Sequence, residues 1–151
     1  MLDDTNLFEL FQIDDEGRLF ISPVVTCWDT LADHGVDVVI DLEGDIDHGV
    51  PTAADSWLYV YYPIHDEELP NLNKLRAIAL MGAELVRQGH GVLSHCGMGF
   101  NRSALLAGMI MHELGMDGPQ IVAKIRERRP GALFNEVFAE HLAGLCRSTR
   151  S

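Results

Sequence analysis

The feature that most constrains this chain lies between residues 91 and 114. A β-type run, Gly91–His95 (GVLSH), leads through the short stretch Cys96-Gly97-Met98-Gly99-Phe100-Asn101-Arg102 into Ser103–Leu114 (SALLAGMIMHEL), which is apolar nearly all round. A helix with no polar face has to be enclosed by other elements. A strand feeding straight into such a helix makes a βα unit, and that unit needs a sheet to sit in and further helices to cover it.

The rest of the chain supplies both. Arg18–Ser22 (RLFIS) reads as a short strand, and Ser22-Pro23 has the form of an N-cap followed by proline at the first helical position, so a helix is predicted to start there. Val24, Cys27, Trp28 and Leu31 follow at helical spacing, and Gly35 supplies the stop. Val36–Leu42 is a continuous β-branched run expected to be a buried strand, and the acid-, Gly- and Pro-rich Glu43–Ser56 is expected to be a loop. Trp57–Tyr62 (WLYVYY) is the next strand, ended by Pro63. Leu72, Leu75, Ala79, Leu85 and Val86 form the apolar stripe of a helix over Asn71–Gln88, and two more helices are expected at Pro119–Arg128 and about Asn135–Cys146. Strands alternating with helices define an α/β class with a central, mostly parallel sheet. Without repeat, low-complexity tract or linker, residues 1–151 are expected to be one domain.

The loop between that strand and that helix carries the chemistry. Cys96 and Arg102 are separated by five residues, two of them glycine. A loop from a strand's C-terminal end into a helix N-terminus turns backbone N–H groups inward, and glycine permits the positive φ angles such a cradle requires. Gly97, Met98, Gly99, Phe100 and Asn101 are therefore the expected anion-binding backbone. A cysteine at the base would have its thiolate stabilised by those amides, by the helix dipole and by Arg102, which moves a thiol from about 8.5 toward roughly 3.5–7.5. Arg102 offers a planar fork that can hold two oxygens of a tetrahedral oxyanion.

Composition limits the partners. Acidic residues outnumber basic ones 23 to 11, for a net charge of −12, so the long-range field repels nucleic acid and anionic lipid, and neither is expected as a partner. Any phosphate must be captured by a local positive pocket. The acidic start MLDDTNLFEL lacks the form of a secretory signal, and no apolar run reaches spanning length, so a cytoplasmic location is expected. The three cysteines, Cys27, Cys96 and Cys146, are too few and too scattered for a disulfide scaffold or a CxxC zinc site, in keeping with a reducing compartment.

His95–Ser103, HCGMGFNRS, resembles the HCxxGxxR(S/T) signature loop of the cysteine-dependent protein tyrosine and dual-specificity phosphatases. RLFIS, a helix and then GVDVVIDL are similar to the opening of dual-specificity phosphatase domains. RPGALFNEVFAEHL is loosely similar to their closing Pro-Asn-x-x-Phe helix, with Asn135 displaced from Pro130. The resemblance implies a protein tyrosine phosphatase-like fold, no metal and no cofactor, and hydrolysis through a phosphocysteine. It assigns Cys96 as nucleophile, Arg102 as phosphate binder, Ser103 as the hydroxyl that assists breakdown of the intermediate, and His95 as support for the cysteine. The implied substrate is a phosphorylated protein or peptide, with phosphate or related oxyanions as ligands of the site.

Expelling a serine or tyrosine oxygen needs a proton donor. The family's general acid lies on a loop in the place of Tyr62-Pro63-Ile64-His65-Asp66-Glu67-Glu68-Leu69-Pro70, and Asp66 is the expected acid, with Glu67 and Glu68 as rivals. Cys27 could pair with Cys96 as a backdoor cysteine, but its spacing assigns it to core packing. The acidic stretch Asp41, Glu43, Asp45, Asp47 and His48 has no metal-ligand spacing and is expected to be solvated. Lys124 and Arg126 are expected at the surface, Arg128 and Arg129 either there or against substrate, and Asn101 either bracing the cradle or simply turning the chain. His34, His48, His90, His112 and His141 show no ligand spacing. Other readings carried by the same loop are an RNA 5′-triphosphatase, from the GFNR string, an inositol-phosphate phosphatase, and a module that binds phosphorylated partners without turning them over. A rhodanese-like sulfurtransferase also places a cysteine before a helix but has no need of the His-Cys and Arg-Ser brackets.

Overall fold

A computed structural model describes residues 8–146. The sheet has the order β1 (Phe11–Gln12), β2 (Leu19–Ser22), β5 (Gly91–His95), β3 (Val36–Asp41), β4 (Leu58–Tyr61). β2, β5, β3 and β4 run parallel, and β1 pairs antiparallel with β2 at the edge. Five helices complete the fold: α1 (Trp28–Asp33), α2 (Leu72–Arg87), α3 (Arg102–Glu113), α4 (Gly118–Arg128) and α5 (Glu136–Ala143). This is the α/β architecture expected from the sequence, a mostly parallel sheet flanked by helices.

The interior strands are apolar on both faces, so each sends alternate residues into two separate cores. Leu19, Ile21, Val38, Ile40 and Val92 pack against α2–α5, whereas Phe20, Val39 and Leu93 join Leu31 of α1 and Val25 on the other face. Val36 lies on the α1 face like Val39, out of step with strict alternation, because the β3–β5 register shifts between Val36 and Val38. α3 is covered all round, with every residue from Ser103 to Met111 buried, which is what its lack of a polar face requires.

Helix ends follow their side chains. Asn71 caps α2 by accepting from the N–H groups of Asn73 and Lys74, Asp117 forms a capping box with Gln120 at α4, and Asn135 caps α5. The expected start of a helix at Ser22-Pro23 is not what forms: α1 begins only at Trp28, with Cys27 at its N-cap. The Ser22 hydroxyl donates to the Pro23 carbonyl at 2.8 Å instead of capping, and the Val24 N–H donates to Gly97 O at 3.4 Å. Tertiary pairing with the Cys96 loop thus takes the backbone groups that a first helical turn would have used. Cys27 accordingly lies outside both cores, half-buried, and accepts a hydrogen bond from Thr30 Oγ1 at 3.1 Å that pulls its thiol below the ordinary value.

Ser22, His95, Asp41 and Tyr61 end the parallel strands at one level of the sheet. Side chains and loops at that edge form the crevice where open α/β sheets bind ligands. Among the described residues no helix is long and apolar enough to cross a membrane.

Candidate active site

The loop from Cys96 to Asn101 leaves β5 at that edge and delivers Arg102 to the first turn of α3. Its carbonyls are taken up from outside. Val24 N–H binds Gly97 O at 3.4 Å, Leu133 N–H binds Phe100 O at 2.8 Å, and the Arg129 guanidinium donates to Met98 O and Gly99 O, each at 3.3 Å. In a trans peptide the C=O and N–H point in opposite directions. The amides of Met98, Gly99, Phe100 and Asn101 are therefore turned to the inner side of the loop, and the Gly99 N–H reaches Cys96 Sγ at 3.3 Å. Gly99 has φ +76°, and a Cβ there would lie 2.7 Å from the Pro23 nitrogen, so both its conformation and its space demand glycine.

Cys96 is buried, and its Sγ lies 3.4 Å from Ser103 Oγ. Arg102 Nη1 contacts Glu43 Oε1 at 2.8 Å and donates to Ile64 O at 3.1 Å, while its buried Nε has no partner among the described residues. A Cβ at Gly97 would come within 2.9 Å of Glu43 Oε2 and 3.3 Å of Arg102 Nη2, so this second glycine leaves room for the ion pair over the cradle.

Asp66 sits at the rim, exposed, with each carboxylate oxygen held by a neutral amide. Asn101 Nδ2 donates to Oδ2 at 2.9 Å and Asn135 Nδ2 to Oδ1 at 2.8 Å. Asn101 Oδ1 also accepts the Asn135 backbone N–H at 3.0 Å, so the asparagine that sequence left between brace and turn ties the cradle to the Asp66 loop and to α5. The Glu67 and Glu68 side chains make no hydrogen bond or ion pair among the described residues; only the Glu67 carbonyl is engaged, by Asn135 at 3.2 Å.

The loop after β3 departs most from expectation. Glu43, Asp45 and His48 do reach solvent, Glu43 only in part, but Asp41 and Asp47 are buried. His95 Nε2 lies 2.5 Å from Asp47 Oδ2 and 3.6 Å from Asp41 Oδ1, and the Tyr59 hydroxyl donates to Asp41 Oδ2. These donors replace water for the two carboxylates. Burial pushes the Asp41 carboxyl above the ordinary range and raises the Tyr59 hydroxyl further, with the adjacent Asp41 adding to the effect. Asp41, Asp47 and His95 also bring one donor atom each to within 4.8 Å of one another, but the His95–Asp47 hydrogen bond and the bonds that hold Asp41 to Tyr59 and to the Glu43 N–H account for that spacing. A cavity of about 720 Å³ opens beside the cradle, walled by Val24, Thr26, Glu43, Asp45, Ile46 and His48.

The basic cluster divides. Lys124 and Arg128 both pair with Asp15, at 2.7 and 2.5 Å, and Arg126 donates to Leu133 O, so none of these three faces the loop opening. Arg129 alone reaches the cradle, from behind, with its guanidinium 4.2 Å from the Phe11 ring centroid and 3.9 Å from that of Phe100. Burial lowers its proton affinity below the ordinary arginine value.

Residues 19–147 match the family model described as dual specificity phosphatase, catalytic domain. The chain belongs to the dual specificity phosphatase catalytic-domain family. Human DUSP28 shares the fold with a TM-score of 0.72 at 21% identity, over 88% of this chain and 89% of that one. Tk-PTP in the active form aligns with a TM-score of 0.68 at 26% identity, over 89% and 95%. A human tyrosine phosphatase-like serine/threonine/tyrosine-interacting protein aligns with a TM-score of 0.71 at 23% identity, over 88% and 92%. None of the curated proteins matches the chain closely.

Sequence reasoning passed over three site residues: Glu43 on Arg102, Asn135 on Asp66, and Asp47 on His95. Asp47 left no local signal. Glu43 had one, since it stands just past the C-terminal end of a parallel strand, where sites gather.

Proposed function

We propose that this chain is a cysteine-dependent protein phosphatase acting on phosphotyrosine, and on phosphoserine and phosphothreonine as well. One observation carries the reading: the Cys96 sulfur lies within 3.4 Å of both the Gly99 amide and the Ser103 hydroxyl, on a loop whose inward amides and Arg102 suit a tetrahedral oxyanion. In the first step Sγ attacks phosphorus, the bond from phosphorus to the substrate oxygen breaks, and Asp66 gives that oxygen its proton. In the second, Asp66 takes a proton from water as the water oxygen attacks phosphorus, the S–P bond breaks, and inorganic phosphate leaves with Cys96 restored as thiolate. Ser103 Oγ stands beside the departing sulfur, and Arg102 trades its contact with Glu43 for phosphate oxygens. No metal or other cofactor enters either step.

The acidic and apolar wall of Glu43, Asp45, Val24 and Ile46 next to the cradle favours a single phosphate on a protein over the clustered charge of an RNA 5′-triphosphate or an inositol polyphosphate. Residues 1–151 act as one catalytic domain, working in a cytoplasm that keeps its thiols reduced.

The test is hydrolysis of p-nitrophenyl phosphate with EDTA present, by wild type and by Cys96→Ser, with vanadate as competitor. Cysteine-dependent, vanadate-sensitive turnover is expected, with phosphotyrosine peptide preferred over inositol phosphates and RNA 5′-triphosphate. Tight vanadate binding without turnover would replace the enzyme with a phosphate-binding module.

A further inference from the structure

Among the described residues, Asp41, Asp47 and His95 are the buried ionisable side chains that cluster, and Tyr59 joins them. Two carboxylates and an imidazole leave water together beside the half-buried Tyr59: the side chains of His95 and Asp41 expose nothing, and that of Asp47 exposes 2%. Such burial is tolerated only where partners replace the lost water. Asp41 Oδ1 accepts the Glu43 N–H at 2.9 Å while Oδ2 takes the Tyr59 hydroxyl, and the Tyr59 oxygen accepts the Asp47 N–H at 2.8 Å. The other ring nitrogen, His95 Nδ1, is buried without a hydrogen-bond partner among the described residues.

The two carboxylates are not equivalent. Asp41 is already engaged on both oxygens and stands 3.6 Å from the ring, whereas Asp47 Oδ2 is 2.5 Å from Nε2 and accepts from it directly. Nε2 faces only acceptors, so it carries a proton whatever the charge on the ring. The groups facing His95 are thus Asp41 from β3, Asp47 from the loop after β3, and Tyr59 from β4 behind them, with Cys96 next in the chain. Both carboxylates thus stand on the Nε2 side of the ring, and the hydrogen bond to Asp47 fixes which edge of the imidazole is turned away from them.

We infer that Asp47 is a positioning residue: its carboxylate fixes the orientation and protonation of the His95 ring, and through that ring sets how readily Cys96 exists as the attacking thiolate. Asp47 also belongs to the wall of the cavity beside the cradle, so the loop that borders incoming substrate is the one that tunes the nucleophile. The inference rests on the phosphatase reading, and its test separates the two.

The ¹⁵N signals of the His95 ring, read on resting wild-type protein without turnover, are expected to show Nε2 protonated from pH 5 to 8. Asp47→Asn is expected to slow iodoacetamide alkylation of Cys96 at pH 5.5 about tenfold, equivalent to a shift of about one pH unit. It should lower kcat for p-nitrophenyl phosphate about as much, with KM changed less than about twofold. In a His95→Asn background the same substitution should add less than about twofold, since the ring it acts through is gone. An unprotonated Nε2, alkylation and kcat within about twofold of wild type, or an undiminished loss in the His95→Asn background would each overturn the inference. If Asp47→Asn does not fold, the wild-type ring signals decide alone. A wild type without turnover but with protonated Nε2 would sink the phosphatase reading and leave the ring assignment standing.

Discussion

Two carboxylate sites flank the cradle, and they are built in opposite ways. On one flank Asp66 is exposed and gripped by the neutral amides of Asn101 and Asn135. On the other, Asp41 and Asp47 are buried and bound to a phenol and an imidazole. A carboxyl in water, steered by amides that leave its charge unopposed, can exchange a proton with solvent and with a substrate oxygen. One sealed inside the fold exchanges slowly and acts through its field on the ring it holds. Depth alone thus separates a carboxyl open to solvent from one held against a ring.

The largest expected effect tests what lies between the flanks. Cys96→Ser should abolish turnover altogether while leaving vanadate or phosphopeptide binding measurable by calorimetry; residual turnover would mean that neither flank serves this thiol. Next comes the exposed flank. Asp66→Asn should cost about a hundredfold or more on phosphotyrosine peptide and much less on p-nitrophenyl phosphate, whose leaving group needs no proton. An equal loss on both substrates would remove proton donation from its role.

A smaller change sharpens the part played by the amides. Asn135→Asp keeps an oxygen for the α5 cap but sets a carboxylate against Asp66 where a donor stood. The basic limb of the kcat profile should move up by about one pH unit, with little change in Tm, because a like charge disfavours ionised Asp66. A fall in Tm without a shifted limb would reduce Asn135 to a helix cap. The smallest effect belongs to the buried flank. The folded protein raises the proton affinity of Asp41, so that group's contribution to stability is fully present below the ordinary carboxylate range and is lost as pH rises through its higher folded value. Asp41→Asn should therefore gain on wild type as pH rises above the ordinary carboxylate range, by about 1 kcal/mol in urea unfolding per unit of raised pKa. A difference that does not vary with pH would mean that burial costs this carboxyl nothing.

What could be read from sequence follows the range of the forces involved. The strand Gly91–His95, the capped and amphipathic helix Leu72–Arg87 and the continuously apolar helix Arg102–Glu113 carry their own local signals and form as read. β1 carries no such signal: at two residues it exists through pairing of Phe11 with Ile21 and Gln12 with Phe20. Ser22-Pro23 shows the converse, a sound local helix start overridden by backbone pairing with a loop more than seventy residues further on. The site divides along the same line. Cys96, Arg102 and Ser103 lie in one short stretch whose spacing dictates its shape, and Asp66 follows the strand that brings it near. Asp47 on His95, Glu43 on Arg102 and Arg129 between two rings arise only when distant segments meet, and from sequence a charged loop residue looks the same whether it faces water or an imidazole.

The way the cradle is braced also bears on when it can form. Its holders come from Phe11, Val24, Glu43, Arg129 and Leu133, nearly the full span of the described chain. Contacts of such sequence separation bear the entropy of closing large loops and are made after local helices and neighbouring strands have formed. During refolding, helical signal should therefore return ahead of enzymatic activity, which makes activity a stricter gauge of the completed native state than any spectroscopic measure of secondary structure.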